Sequence, residues 1–177
     1  MNVKKGLLII SFLLIIIGLA IKINIKYNNY LINYNIKKDV NNFIKHNKTT
    51  VNNIIAVLEI PKISLRQGII KNNNVDEGIE IINDNSFFNK NVILAAHSGN
   101  CKVCYFNKLD SLNIGDEINF YYDNYKYIYQ ITNIELKMKN SFKIDNLEDT
   151  ITLITCKKNS DKLQIIITGK LINKEKY

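Results

Sequence analysis

The chain is 177 residues long, with 24 Lys and Arg against 16 Asp and Glu and a formal net charge of +8. Hydrophobic residues make up 46% and charged residues 23%, which is enough apolar side chain to bury one core and excludes a disordered chain, so one ordinary domain plus a short appendage is expected. The basicity is almost all lysine, Arg66 being the single arginine; base readout leans on arginine forks, so no nucleic-acid partner is expected.

Residues 1–23 read as a short cytoplasmic head and a transmembrane anchor. Gly6 to Ile21 (GLLIISFLLIIIGLAI) carries no charge. It falls just under the ~17–25 residues usually needed to span, but Lys22 can snorkel while Ile23 and Ile25 extend the apolar length. A cleavable signal peptide would end in a good small-residue site, and Gly18-Leu19-Ala20 is a poor one, so the anchor reads as uncleaved. Lys4 and Lys5 favour a cytoplasmic start, whereas Lys22, Lys26, Lys37 and Lys38 oppose it by count. A five-residue head is easily left inside, and the bulk of the chain is taken as extracellular, in a non-reducing compartment. Residues 24–53 follow as a stalk or N-terminal helical segment. Ile32, Ile36, Val40, Phe43 and Ile44 recur at helical spacing, and a solvated stalk is the alternative.

From residue 54 to 177 the texture is of short β-type runs. Ile54–Ile60 (IIAVLEI) is a strand stopped by Pro61, and Asn91–His97 (NVILAAH) ends at a Ser-Gly-Asn turn. Glu117–Tyr122 and Tyr125–Ile134 alternate around Asp123-Asn124, the pattern of a hairpin. Thr150–Thr155 and Leu163–Leu171 complete the set. Cys104–Leu112 reads as one short helix, with Phe106, Leu109 and Leu112 on a face and Gly115 as its stop. Many strands and few helices predict a mainly β fold, a small antiparallel barrel or sandwich.

Two residues carry candidate chemistry. His97 ends one apolar strand and Cys156 ends another (TLITC, Thr152–Cys156). A free thiol is only a few per cent ionised at neutral pH, and a neighbouring imidazole can take its proton and later protonate a leaving amine. The plainer alternatives are a small buried cysteine and a structural histidine. Cys101 and Cys104 form a single C-x-x-C, open to three readings: two small or disulfide-linked cysteines, a redox pair acting on Cys156, or half a metal site. A four-ligand zinc site would have to recruit His97, His46 or Cys156.

LAAHSGN (Leu94–Asn100), then YFNKLDSLNIGDEI (Tyr105–Ile118), then TLITC resemble the sortases, membrane-anchored cysteine transpeptidases of Gram-positive surfaces. VLEIPKISL (Val57–Leu65) resembles the segment that opens their barrel, so the likeness runs from about Ile54 to Leu171. The resemblance implies a sortase-type closed β-barrel with short helices behind one N-terminal transmembrane helix, on the outer face of the cell membrane. It implies that Cys156 is the nucleophile of an acyl-thioester and His97 the proton donor and acceptor. The substrates would be sorting-signal peptides of exported proteins, and the acceptor an amine such as a cell-wall precursor or a pilin lysine.

One departure stands out. The family carries an arginine on the last strand, and no arginine follows Cys156 here. Gln164 falls at that place, with Lys162 two residues earlier as the other replacement; Arg66 from a distant strand is the remaining source. No cofactor is required, although some sortases use calcium through loop carboxylates, and Glu135, Asp145, Glu148 and Asp149 fall in a suitable loop. The competing readings are a membrane-anchored CxxC redox or metal-binding module and a non-catalytic surface protein on a sortase-type barrel.

Overall fold

The computed structural model describes residues 3–46, 54–71, 74–82, 91–139, 141 and 147–177. It divides into two compact units, Met1–Lys38 and Asp39–Tyr177. A helix, α1 (Val3–His46), makes up the described part of the first unit and supplies the opening turns of the second. Within α1 the stretch Ile9–Asn28 is long and apolar enough to cross a membrane. Its large apolar side chains are exposed, including Phe12, Leu14 and Ile17, which suits lipid better than water.

The second unit is an eight-stranded sheet of β1 (Ile54–Ile60), β2 (Leu65–Ile70), β3 (Glu80–Ile81), β4 (Asn91–Ala95), β5 (Glu117–Tyr122), β6 (Tyr125–Met138), β7 (Thr150–Cys156) and β8 (Leu163–Lys176). The spatial order is β2-β1-β5-β6-β8-β7-β4-β3, and the sheet curls into a nearly closed barrel. The two-residue alternation of strands decides what lies inside. Ala56, Leu58 and Ile60 of β1, Ile118 and Phe120 of β5, Ile151 and Leu153 of β7, and Ile165 and Ile167 of β8 share one buried core. The long strand β6 pairs with β5 on one side and β8 on the other, and its register against β8 shifts at Ile128/Tyr129 and Ile131/Asn133. Such bulges sharpen the twist that lets a sheet curl.

Pro61 ends β1 as foreseen and opens a one-turn 3₁₀ helix, Pro61–Ile63. The β5–β6 hairpin turns at Asp123 and Asn124, both with positive φ (48° and 65°), as a two-residue type I′ turn requires. Two expectations need correction. Cys104–Leu112 is not one helix: it is a series of turns closed by a 3₁₀ turn at Leu109–Ser111. Phe106, Leu109 and Leu112 are buried all the same. The sheet is also not wholly antiparallel, because β4 and β7 run parallel, Asn91 opposite Thr150 through Ala95 opposite Ile154. The β5–β6 hairpin lies between them in sequence, so the chain returns to the β4 edge in the same direction. This pair sets where the ends of β4 and β7 lie relative to each other.

Candidate functional site

Parallel strands end at the same edge of a sheet. The offset of 59 residues in the β4–β7 register is repeated in the hydrogen bond from Thr155 Oγ1 to the Ala96 carbonyl, 2.7 Å, and it carries on to His97 and Cys156. Residues of one parity along these strands, Val92, Leu94, Ala96, Ile151 and Leu153, fill the core. His97 and Cys156 belong to the other parity and leave the barrel on its outer face. Two further bonds lash the strand ends together: the Ala96 N–H donates to the Ile154 carbonyl at 3.3 Å, and the Ser98 hydroxyl donates to the Cys156 carbonyl. Both side chains line one open cleft of about 690 Å³, and Cys156 is a free, half-buried thiol.

The loop after His97 forms one wall. Gly99 has φ +120°, a conformation that side chains rarely tolerate. The loop is fastened by the Phe106 N–H donating to the His97 carbonyl at 3.1 Å, with Phe106 itself buried in the core. Cys101 and Cys104 are joined by a disulfide within it. Cys101 is exposed, so of the readings above the disulfide-linked one describes this pair. Neither cysteine lines the cleft with His97.

Gln164 of β8 is the cross-strand partner of Cys156. Directly opposed residues of an antiparallel pair share a face, with Cβ atoms about 4.5–5.5 Å apart. Gln164 thus stands beside the thiol on the outer face. Lys162 lies in the bend before β8 and is exposed, so the strand's alternation does not extend to it. Arg66 is engaged elsewhere: on β2 it meets Glu59 at 3.5 Å and donates to Asn41 Oδ1 at 3.1 Å.

The cleft also holds cations that sequence reasoning missed, Lys139 at the end of β6 and Lys157 and Lys158 just after Cys156. Lys158 is held by Asp110 at 3.5 Å. Also missed was Asp76, whose Oδ1 lies 2.9 Å from His97 Nε2. Nothing in the one-dimensional pattern links a polar turn residue to a histidine 21 positions on.

Glu135, one of the candidate calcium ligands, pairs with Lys137 at 2.8 Å; this bond, with one from Asn133, holds its carboxyl below the usual range. Asp145 lies outside the described residues. Among the described residues no three His, Cys, Asp or Glu side chains converge to hold a metal.

Comparison with known proteins shows a family and a shared fold. The family profile of the Sortase domain matches residues 58–172. Sortase A of Bacillus anthracis is 30% identical over 128 residues, which is 67% of this chain and 60% of that protein; the chain therefore spans well under two thirds of that relative's length. Sortase A of Listeria monocytogenes superimposes with a TM-score of 0.64 at 23% identity, over 71% of this chain and 92% of that one. Sortase C of Streptococcus pneumoniae does so with 0.61 at 24%, over 70% and 71%.

Proposed function

The chain belongs to the sortase family, and from that premise we propose that it is a transpeptidase working by ping-pong acyl transfer through Cys156. The observation that carries this reading is the convergence of His97 and Cys156, from the ends of parallel β4 and β7, on one open cleft. The Cys156 thiol passes its proton to His97 and attacks a backbone carbonyl of a sorting-signal peptide near the end of an exported protein. The tetrahedral oxyanion collapses to an acyl-thioester as His97 hands a proton to the departing amine. A second amine, from a cell-wall precursor or a pilin lysine, then attacks the thioester; the C–S bond breaks, the proton the amine loses passes through His97, and the Cys156 thiol is regenerated. One amide is exchanged for another, so no external free-energy source is needed.

The outer face of the barrel supports a path for the peptide. Further along the strands that carry Cys156 and Gln164, a hollow of about 230 Å³ is lined by Ile93, Leu147 and Ile166 together with polar and charged side chains such as Thr152, Glu135 and Lys137. A peptide laid along that face would place side chains in this mixed hollow and its scissile carbonyl over Cys156. The oxyanion would meet the Gln164 amide, a neutral donor where the family has a charged fork. The apolar stretch of α1 would tether the enzyme with its barrel outside the cell.

The test is mass spectrometry of the protein mixed with a panel of sorting-signal peptides. The expected result is an acyl adduct on Cys156 that disappears when an amine is added. Cys156→Ala should form none, while Cys101→Ala and Cys104→Ala still do. Adducts in the Cys156 variant would overturn the assignment.

A further inference from the structure

We propose that Asp76 is a positioning residue for His97, holding the imidazole in the orientation that delivers a proton to the leaving amine; this rests on the transpeptidase reading. The contact is direct, His97 Nε2 to Asp76 Oδ1 at 2.9 Å. It is also prepared by the backbone. Asn74 Oδ1 accepts the N–H groups of Asp76 at 2.9 Å and Glu77 at 3.2 Å. The Asn74 carbonyl accepts those of Glu77 and Gly78, each at 3.0 Å. An Asx turn of this kind is a local device for fixing a short polar segment. Here it fixes the segment that carries the Asp76 carboxylate to His97.

The geometry assigns the two ring nitrogens different tasks. With Nε2–H donating to the carboxylate, Nδ1 is left for the chemistry. The Asp76 side chain is 82% exposed and that of His97 38%. The pair therefore works through screened water, and its effect belongs at the low end for such relays. Removing it should cost about three- to tenfold in rate.

The experiment uses the full chain in detergent and two substrates, a sorting-signal peptide and its analogue with a thioester at the scissile bond. A thiolate leaving group needs no proton from His97; an amine does. Asp76→Ala should lower kcat on the amide about three- to tenfold with KM unchanged. On the thioester its kcat should stay within about twofold of wild type. Asp76→Asn should recover most of the amide rate, because its side-chain oxygen accepts the same bond. An equal fall on both substrates would overturn the proposal, since Asp76 would then only shape the cleft; so would an undiminished amide rate. A second readout needs no turnover and so stands even where the transpeptidase reading fails. The chain has 2 histidines, so 15N-histidine labelling gives two imidazoles. The His97 Nε2 signal should move in Asp76→Ala while that of His46 stays. An unmoved His97 signal means the contact is absent in solution.

Discussion

Gln164 tests how much of the chemistry depends on charge at the oxyanion. It faces Cys156 across β7 and β8, where the resemblance leads one to expect an arginine, and the chain's one arginine is tied to Glu59 and Asn41. Gln164→Ala should slow acylation by the ~10²–10³ that follows loss of one oxyanion donor, with the fold unchanged. Lys162→Ala should do little. Gln164→Arg should hold or raise the rate, because charge-bearing donors replace a neutral amide. Single-turnover acylation measured by mass spectrometry decides it, and harmless Ala variants at both positions would shift the role to backbone N–H groups or to Lys157. His97→Ala should cost ~10²–10⁴ in the same assay. The sequence exposed His97 and Cys156 because each interrupts an apolar run with a reactive side chain at a strand end. Gln164 came from counting along a strand. Asp76 and the cleft lysines were hidden because turns and chain folding, not periodicity, bring them there.

At the scale of elements, legibility followed bounded alternation. β1 begins and ends as read because Pro61 stops it, and the β5–β6 hairpin because Asp123-Asn124 accept positive φ. β2 was missed: Arg66, Gln67 and Gly68 interrupt its apolar pattern, and β1 is its one neighbour in the sheet. The end of β8 was missed because Asn173 to Lys176 are polar and exposed, yet they pair with the start of β6. The helix expected over Cys104–Leu112 failed for a specific reason. Phe106, Leu109 and Leu112 are spaced by threes, which is the period of 3₁₀ turns as well as a tolerable one for an α-helix. The next turn yields a prediction. Asp116 Oδ2 accepts the Asn113 N–H at 2.7 Å and its Oδ1 accepts Lys62 Nζ at 3.0 Å, joining the turn before β5 to the 3₁₀ turn after β1. The backbone bond from Asn113, then Lys62, holds its carboxyl below the usual range. A lowered folded pKa means stability that is present above the ordinary carboxylate pKa and lost as pH falls through the folded one. Asp116→Asn should therefore be less stable than wild type in urea melts at pH 7. The gap should narrow toward pH 2, and a gap independent of pH would contradict the charge-based account.

For the molecule as a whole, the question is where the folded barrel unit begins. Asp39–Tyr177 is one compact unit, and its opening turns come from α1. Val40 and Phe43 in those turns are 1% and 2% exposed, yet they are not among the residues that fill the barrel interior. They are buried within the unit all the same. The same turns are pinned by polar contacts: Arg66 bridges Asn41 and Glu59, and Glu59 accepts the Tyr121 hydroxyl at 2.7 Å. Burial, with Glu59 adding to it, pushes the Tyr121 pKa upward, so the hydroxyl stays a donor across the neutral range. A buried Phe truncated to Ala costs ~3–5 kcal/mol, a large share of the ~5–15 kcal/mol that holds a domain together. Phe43→Ala should thus lower the urea midpoint of residues 39–177 markedly. A chain starting at Ile54 should fare worse, since Val40, Phe43 and the Asn41 contact all go at once. Urea unfolding of the three proteins, followed by tyrosine fluorescence, makes the comparison. If the chain from Ile54 matched the chain from Asp39, residues 39–53 would be a solvated stalk. If it unfolds earlier, the last turns of α1 are part of the barrel domain, and the proposed acyl transfer should be assayed on a chain that retains them.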